Sequence, residues 1–230
     1  IALRRALLQA RKAQAPEGAA EARALLDRAT RVGDELLAHP KLAKPQLVQL
    51  LTDRGDEAWS RDDLAEARAR YQAALALPQP DGQRRALEAR VHGLELADAA
   101  PTLRKLFIEQ DTGPDTILRL RDLDLANHAD GLAAYLLAKQ LQNHQDWPAC
   151  VTYAADALGR ALPSRLFLLE ALRMQAVCAI KSEQSELAER TLRLLRPMVT
   201  PGRQLELDRL RALIAPAAAP APPPAPAPRP

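Results

Sequence analysis

The residues that could do chemistry are few, and their spacing argues against catalysis. Histidines stand at His39, His92, His128 and His144. No second histidine and no cysteine stands three or four residues from any of them, so no pair of nitrogen or sulfur donors shares a helix face. Asn127-His128-Ala129-Asp130 and Asn143-His144-Gln145-Asp146 read as solvated connections between helices. Cys150 and Cys178 have neither metal-ligand spacing nor the multiplicity of a disulfide framework. A reactive thiol would want a cation or histidine beside it. The sequence places no histidine within four residues of either, and each cysteine is expected to be a small buried hydrophobe. The 9 glycines fall mostly at turns, and no phosphate-cradling loop or nucleophile elbow occurs. The expectation is a chain without catalytic residues, metal or cofactor: not an enzyme.

The elements that must position any site follow from composition. The 230 residues suffice for one large domain or two small ones. Hydrophobic residues make up 47% but aromatics only 3%, so the core must be built from leucine and alanine. Such cores suit helix packed on helix, whereas strands want valine, isoleucine and aromatic side chains. An all-α fold is expected. The net charge of +3 is a small excess of 32 basic over 29 acidic residues, interleaved as in EGAAEARALLDR. That pattern marks solvated helix faces with local ion pairs. Nucleic-acid binding would need a concentrated basic stripe, so no nucleic-acid partner is expected.

No apolar run approaches the ~18 residues of a membrane span. Ile1-Ala2-Leu3 followed by Arg4-Arg5 has two readings: the basic flank of a membrane helix, or an ordinary amphipathic helix, which is preferred. The alanine, leucine, arginine and proline content suggests a high-GC bacterial source. Bacterial cytoplasm and membrane association both stay open as locations.

The stretch from Leu47 to Pro78 organises the chain. It reads as two amphipathic helices joined by a polar turn and closed by proline. Gly55 and Ala67 are small enough to let two helix axes approach closely. Leu64, Ala67, Tyr71, Ala74 and Leu75 recur at three- and four-residue steps on one face. Asp62 or Asp63 is placed to cap the second helix. Two later stretches align with this one. In Gly131 to Leu158, Ala138, Cys150 and Ala157 take the places of Gly55, Ala67 and Ala74. In Leu169 to Pro197, Ala176, Ala188, Leu192 and Leu195 hold the corresponding positions. On these residues the chain resembles the tetratricopeptide (TPR) repeat family, a helix–turn–helix of about 34 residues. Departures are Arg54 and Gln175 where leucine is usual, and Glu183 at the turn glycine.

The resemblance implies an α-solenoid of stacked antiparallel pairs. Its expected parts are an N-terminal helical pair over 1–46, repeats over 47–80, 131–162 and 163–200, and divergent helical units over 81–130 between the first two repeats. A capping helix over 201–215 carries Leu205, Leu207, Leu210 and Leu213, and a proline- and alanine-rich tail over 216–230 follows. At ~3.1 Å per residue the tail would be a semi-rigid, disordered tether.

Proteins of this family hold a peptide or partner helix in the groove lined by the first helix of each repeat, and the resemblance implies the same here. The lysine–asparagine clamp that some of them use for a C-terminal carboxylate does not carry over. Thr52, Asp56, Tyr135, Lys139, Arg173 and Val177 stand at its positions. What remains is a polar-aromatic strip, with Gln49, Asp56 and Trp59 at one end and Tyr135, Lys139, Asn143, Arg173 and Lys181 at the other. The expected function is a non-catalytic interaction scaffold or adaptor that binds a protein or peptide. The alternative is a regulatory or substrate-recruiting domain of a larger, membrane-anchored enzyme.

Overall fold

A computed structural model describes residues 24, 27–28, 31–35, 42–96 and 98–214. Residues 31–35 are helical and belong to the expected N-terminal pair; most of that pair and the tail after Ile214 lie outside the described residues. Over residues 44–96 and 98–214 the described chain is all-α. Its helices are α1 (Lys44–Ser60), α2 (Leu64–Leu75), α3 (Asp81–Gly93), α4 (Ala100–Phe107) and α5 (Pro114–Ala126), followed by α6 (Leu132–Asn143) and α7 (Trp147–Leu158). Then come α8 (Arg165–Lys181), α9 (Ser185–Leu195), a 3-10 turn (Arg196–Met198) and α10 (Pro201–Ala212). Proline opens α4, α5, α7 and α10 within their first two positions, where its missing N–H removes no helical bond. The only strand-like pairing among the described residues is an isolated bridge between Asp130 and Ala161.

Three helical hairpins, α1/α2, α6/α7 and α8/α9, share one turn geometry. Each passes through a left-handed residue: Asp62 at φ 65°, Gln145 at 61° and Glu183 at 59°. The following residue has φ/ψ of −83°/77° at Asp63, −82°/77° at Asp146 and −87°/64° at Gln184. The N–H of each of these reaches back five residues, to Ala58, Leu141 and Ala179, at 2.9, 2.9 and 2.8 Å. This is the six-to-one bond of a Schellman closure, which satisfies carbonyls left open by the ending helix. Asp63 and Asp146 then cap the second helix by accepting the N–H of Glu66 and Ala149, at 3.1 and 3.3 Å. Gln184 makes no such cap.

Small residues seat the hairpins. A Cβ on Gly55 would lie 2.4 Å from Tyr71 Cε1, so the ring occupies the space that a side chain would need. Ala67, Tyr71, Ala74, Ala138, Cys150, Ala157, Ala176 and Ala188 are all buried. The two departures from leucine are buried polar pairs within their hairpins. Arg54 donates to Glu57 at 2.6 Å and to Asp34 at 2.8 Å, which ties residue 34 to α1. Thr191 Oγ1 donates to Gln175 at 3.1 Å, linking α9 to α8.

The expectation for the cysteines is corrected. Cys150 on α7 and Cys178 on α8 are joined as a disulfide, with Cα atoms 6.1 Å apart. Both are buried as expected. The packing of α7 directly on α8 brings them together, which nothing in their spacing announces.

Successive helices pack on one another along the chain, and α6 also meets α8. The divergent middle does more than fill sequence. α3 packs on α2 and α4 and also reaches α8. Ser164, the N-cap of α8, donates to Glu88 of α3 at 2.6 Å, and Arg203 of α10 donates to Asp81 at 3.0 Å. The loop before α6 is equally engaged. His92 and Asp130 lie 2.5 Å apart, and Gly131 N–H donates to Ala161 at 2.7 Å. A Cβ on Gly131 would sit 2.8 Å from the Ala157 carbonyl oxygen. The Asn127–Asp130 connection is therefore a docked loop rather than a freely solvated one.

Candidate functional site

The strip expected along an open groove is rearranged by this packing. Trp59 and Tyr135 are core residues, 1% and 2% exposed, and neither offers an aromatic surface to a partner. The chain has only 2 Trp, 3 Tyr and 2 Phe, and the fold uses these two at interior seams. Trp59 meets the edges of Tyr71 and Phe107 at 6.2 and 6.3 Å between centroids; Tyr135 meets Phe167 at 4.9 Å. Asp56, expected to give one end of the strip its negative charge, is also consumed. It accepts Tyr71 Oη–H at 2.7 Å and Arg90 Nε–H at 3.0 Å. The Arg90 guanidinium lies over the Phe107 ring at 5.2 Å.

The polar members of the other end stay accessible. Lys139, Asn143 and Lys181 are exposed, and Arg173 is half-buried. Lys139 and Arg173 converge with Arg85, a residue of α3 that the sequence reading did not single out. These three cations surround one carboxylate, Glu170. Arg173 donates to Glu170 at 2.7 and 3.0 Å, and Arg85 stands 3.9 Å away. Burial raises the Glu170 carboxyl, but the Arg173 hydrogen bonds and the charges of Arg173, Arg85 and Lys139 outweigh it and hold the group below the usual glutamate range. Lys139 reaches solvent, yet its ammonium is held below the usual lysine range. Displacement of water by the surrounding protein comes first, then repulsion from Arg85 and Arg173, against the pull of Glu170.

The Tyr135 hydroxyl belongs to the same cluster. It is buried and approached by Arg85, but it makes no hydrogen bond of normal length. Burial pushes it up to about 12, so it stays protonated at neutral pH and is available as a donor. Beside the cluster, a crevice between α3, α8 and α10 is lined by Arg85, Leu169, Glu170, Arg173, Arg203 and Glu206. Arg173 is within 3.8 Å of Glu206 across it. Arg85, Glu170, Arg203 and Glu206 are site residues that the sequence reading missed, since their meeting depends on α3 and α10 folding against α8. Chemically, the arrangement can hold an anion: three positive charges, Arg85, Lys139 and Arg173, meet two carboxylates, Glu170 and the exposed Glu206.

Among the described residues no helix is long and apolar enough to cross a membrane. Nor does any group of histidine, cysteine, aspartate and glutamate converge there as a metal site would require. Comparison with protein-family models, curated proteins and solved structures finds no match. Fold and site together define an all-α protein with a cationic cluster set among three of its helices.

Proposed function

We propose that the chain is a non-catalytic helical-repeat adaptor that binds an acidic peptide segment or the acidic end of a partner helix. The observation that carries the reading is the convergence of Arg85, Lys139 and Arg173, three cations set against the carboxylates of Glu170 and the exposed Glu206. A carboxylate from a partner would neutralise the excess charge at the exposed rim. The TPR-like architecture is supported by three hairpins with one turn geometry and small residues at matching places. Two of these hairpins, α6/α7 and α8/α9, lie consecutively, with α6 against α8, as stacked repeats require. In this reading α3 lies against part of the groove and lends it Arg85, so the bound segment contacts the exposed rim at Lys139, Asn143 and Lys181. Trp59 and Tyr135 act as packing residues.

The test begins with capture of partners by the full chain and titration calorimetry on what is retained. Exposed charges act mainly on association rate and salt dependence. Lys139→Glu is therefore expected to weaken binding several-fold at low ionic strength and less at high salt. Lys181→Glu should act in the same direction, and Arg68→Glu on α2 should not. Wild-type affinity in both Lys139→Glu and Lys181→Glu would overturn the acidic-segment reading.

A further inference from the structure

The cross-link between Cys150 and Cys178 carries an inference that does not depend on any partner. We infer that this bond is a permanent structural disulfide, closed while the chain folds, and that the protein works in an oxidising compartment. Three observations lead there. Both residues are 0% exposed, enclosed between the second and third hairpins. Thiol–disulfide exchange needs a thiolate to reach a sulfur atom directly, so neither a small thiol nor a protein dithiol can attack the bond in the native structure. Ala154 and Ala157 of α7 and Ala171 and Ala179 of α8, the two helices that carry the cysteines, are small and fully buried as well. Finally, the cysteines are 28 residues apart, and they tie α7 to α8, helices that belong to different hairpins. A link between units is what limits their separation, because stacked helical units otherwise rest only on nearest-neighbour packing.

Closure is a two-electron oxidation. Two thiols lose two protons and two electrons to a disulfide donor, either an oxidised protein dithiol or a low-molecular-weight disulfide, which leaves as two thiols. Since the sulfurs are sealed in the folded state, this exchange has to precede the docking of α7 on α8. A cytosol held reducing by its thiol pool would leave both thiols free at that moment. An oxidising compartment closes them, and folding then protects the product.

The test reads the redox state where the protein resides. Cells of the source organism are quenched in acid and unfolded in an alkylating agent, and the full chain is weighed before and after reduction. The expected result is no label before reduction and two labels after it. Two labels without reduction would overturn the inference. A second arm uses the purified oxidised chain in millimolar reductant. The bond should survive for hours in native buffer and reduce promptly in denaturant, whereas prompt reduction in native buffer would show an accessible, switching disulfide and overturn the structural role. In a third arm the double variant Cys150→Ala/Cys178→Ala should melt lower than the oxidised protein, by roughly 10 °C for a loop of this length. Equal melting temperatures would count against the link as a structural element.

Discussion

Several individual residues in this protein are held by one specific neighbour, and two of these dependencies can be measured. Gly55 stands against the Tyr71 ring at a distance that no Cβ tolerates. Tyr71 cannot retreat, because its hydroxyl donates to Asp56 and Trp59 packs on its edge. Gly55→Val should therefore destabilise the fold by about 1–3 kcal/mol through overpacking, read as a lowered urea midpoint with unchanged slope. The second dependency is the His92–Asp130 pair. The hydrogen bond to Asp130 raises His92 above the ordinary value of 6.5, against the effect of burial and with help from Asp130 and Glu95. Burial raises Asp130, but the His92 bond, the Leu132 N–H and the charges of His92 and Arg160 lower it below 3.8 overall. A raised histidine contributes stability that is complete below its unfolded value and is lost as pH rises through the folded one. A lowered aspartate contributes stability that is lost as pH falls through its own folded value. The pair should thus be strongest between about pH 4 and 6.5 and weaken above that window. The stability lost by His92→Ala relative to wild type should be larger near about pH 5.5 than near about pH 8.5. An equal loss at both would show that the imidazole charge contributes nothing.

At the scale of elements, the hairpin turns are the most regular feature and also a strained one. Asp62, Gln145 and Glu183 adopt a left-handed conformation that costs a residue with a Cβ roughly 1 kcal/mol or more. All three are exposed. Replacing each by glycine should stabilise the protein by up to about 0.5–1 kcal/mol per site, once the greater freedom of glycine in the unfolded chain is discounted. Unchanged midpoints in all three variants would mean that the turn strain is relieved elsewhere. These hairpins were legible in the sequence because their determinants are local: a small residue where axes cross, an aspartate at the cap of two of them, an apolar face repeating at three and four residues. The placement of α3 was not legible, since Arg85 meets Glu170 far along the chain through packing alone. The aromatic residues were misplaced for a related reason. Periodicity locates Tyr135 on a helix face but does not say that α3 and Phe167 will cover it. The disulfide left no local trace either, because a half-cystine and a buried thiol occupy a small apolar position equally well.

For the whole molecule, the question is whether α1 to α9 unfold together or as separate repeats. A stack of units with only nearest-neighbour contacts would tend to melt in stages. Here one buried cluster runs without a break from Val48 in α1 to Ala188 in α9. α3 adds contacts between distant units through Glu88 and Arg85. α10 stands apart from that continuity. It supplies one buried residue, Leu207, to a smaller cluster with Leu172, Ala176, Leu192 and Leu195, while Leu205 and Leu213 remain 59% and 64% exposed. The two tryptophans, Trp59 in α1 and Trp147 in α7, report on different ends of the main cluster. In Trp59→Phe and Trp147→Phe, the fluorescence of the remaining tryptophan should change at the same urea concentration as the helical ellipticity of that variant. Leu87→Ala should move both transitions together, by about 2–5 kcal/mol, because the side chain it removes is fully enclosed. Leu207→Ala should speed amide exchange within α10 and leave those transitions nearly in place. A tryptophan signal that separates from the ellipticity would mean that the contacts of α3 are too weak to couple the hairpins, and that each melts as a unit of its own.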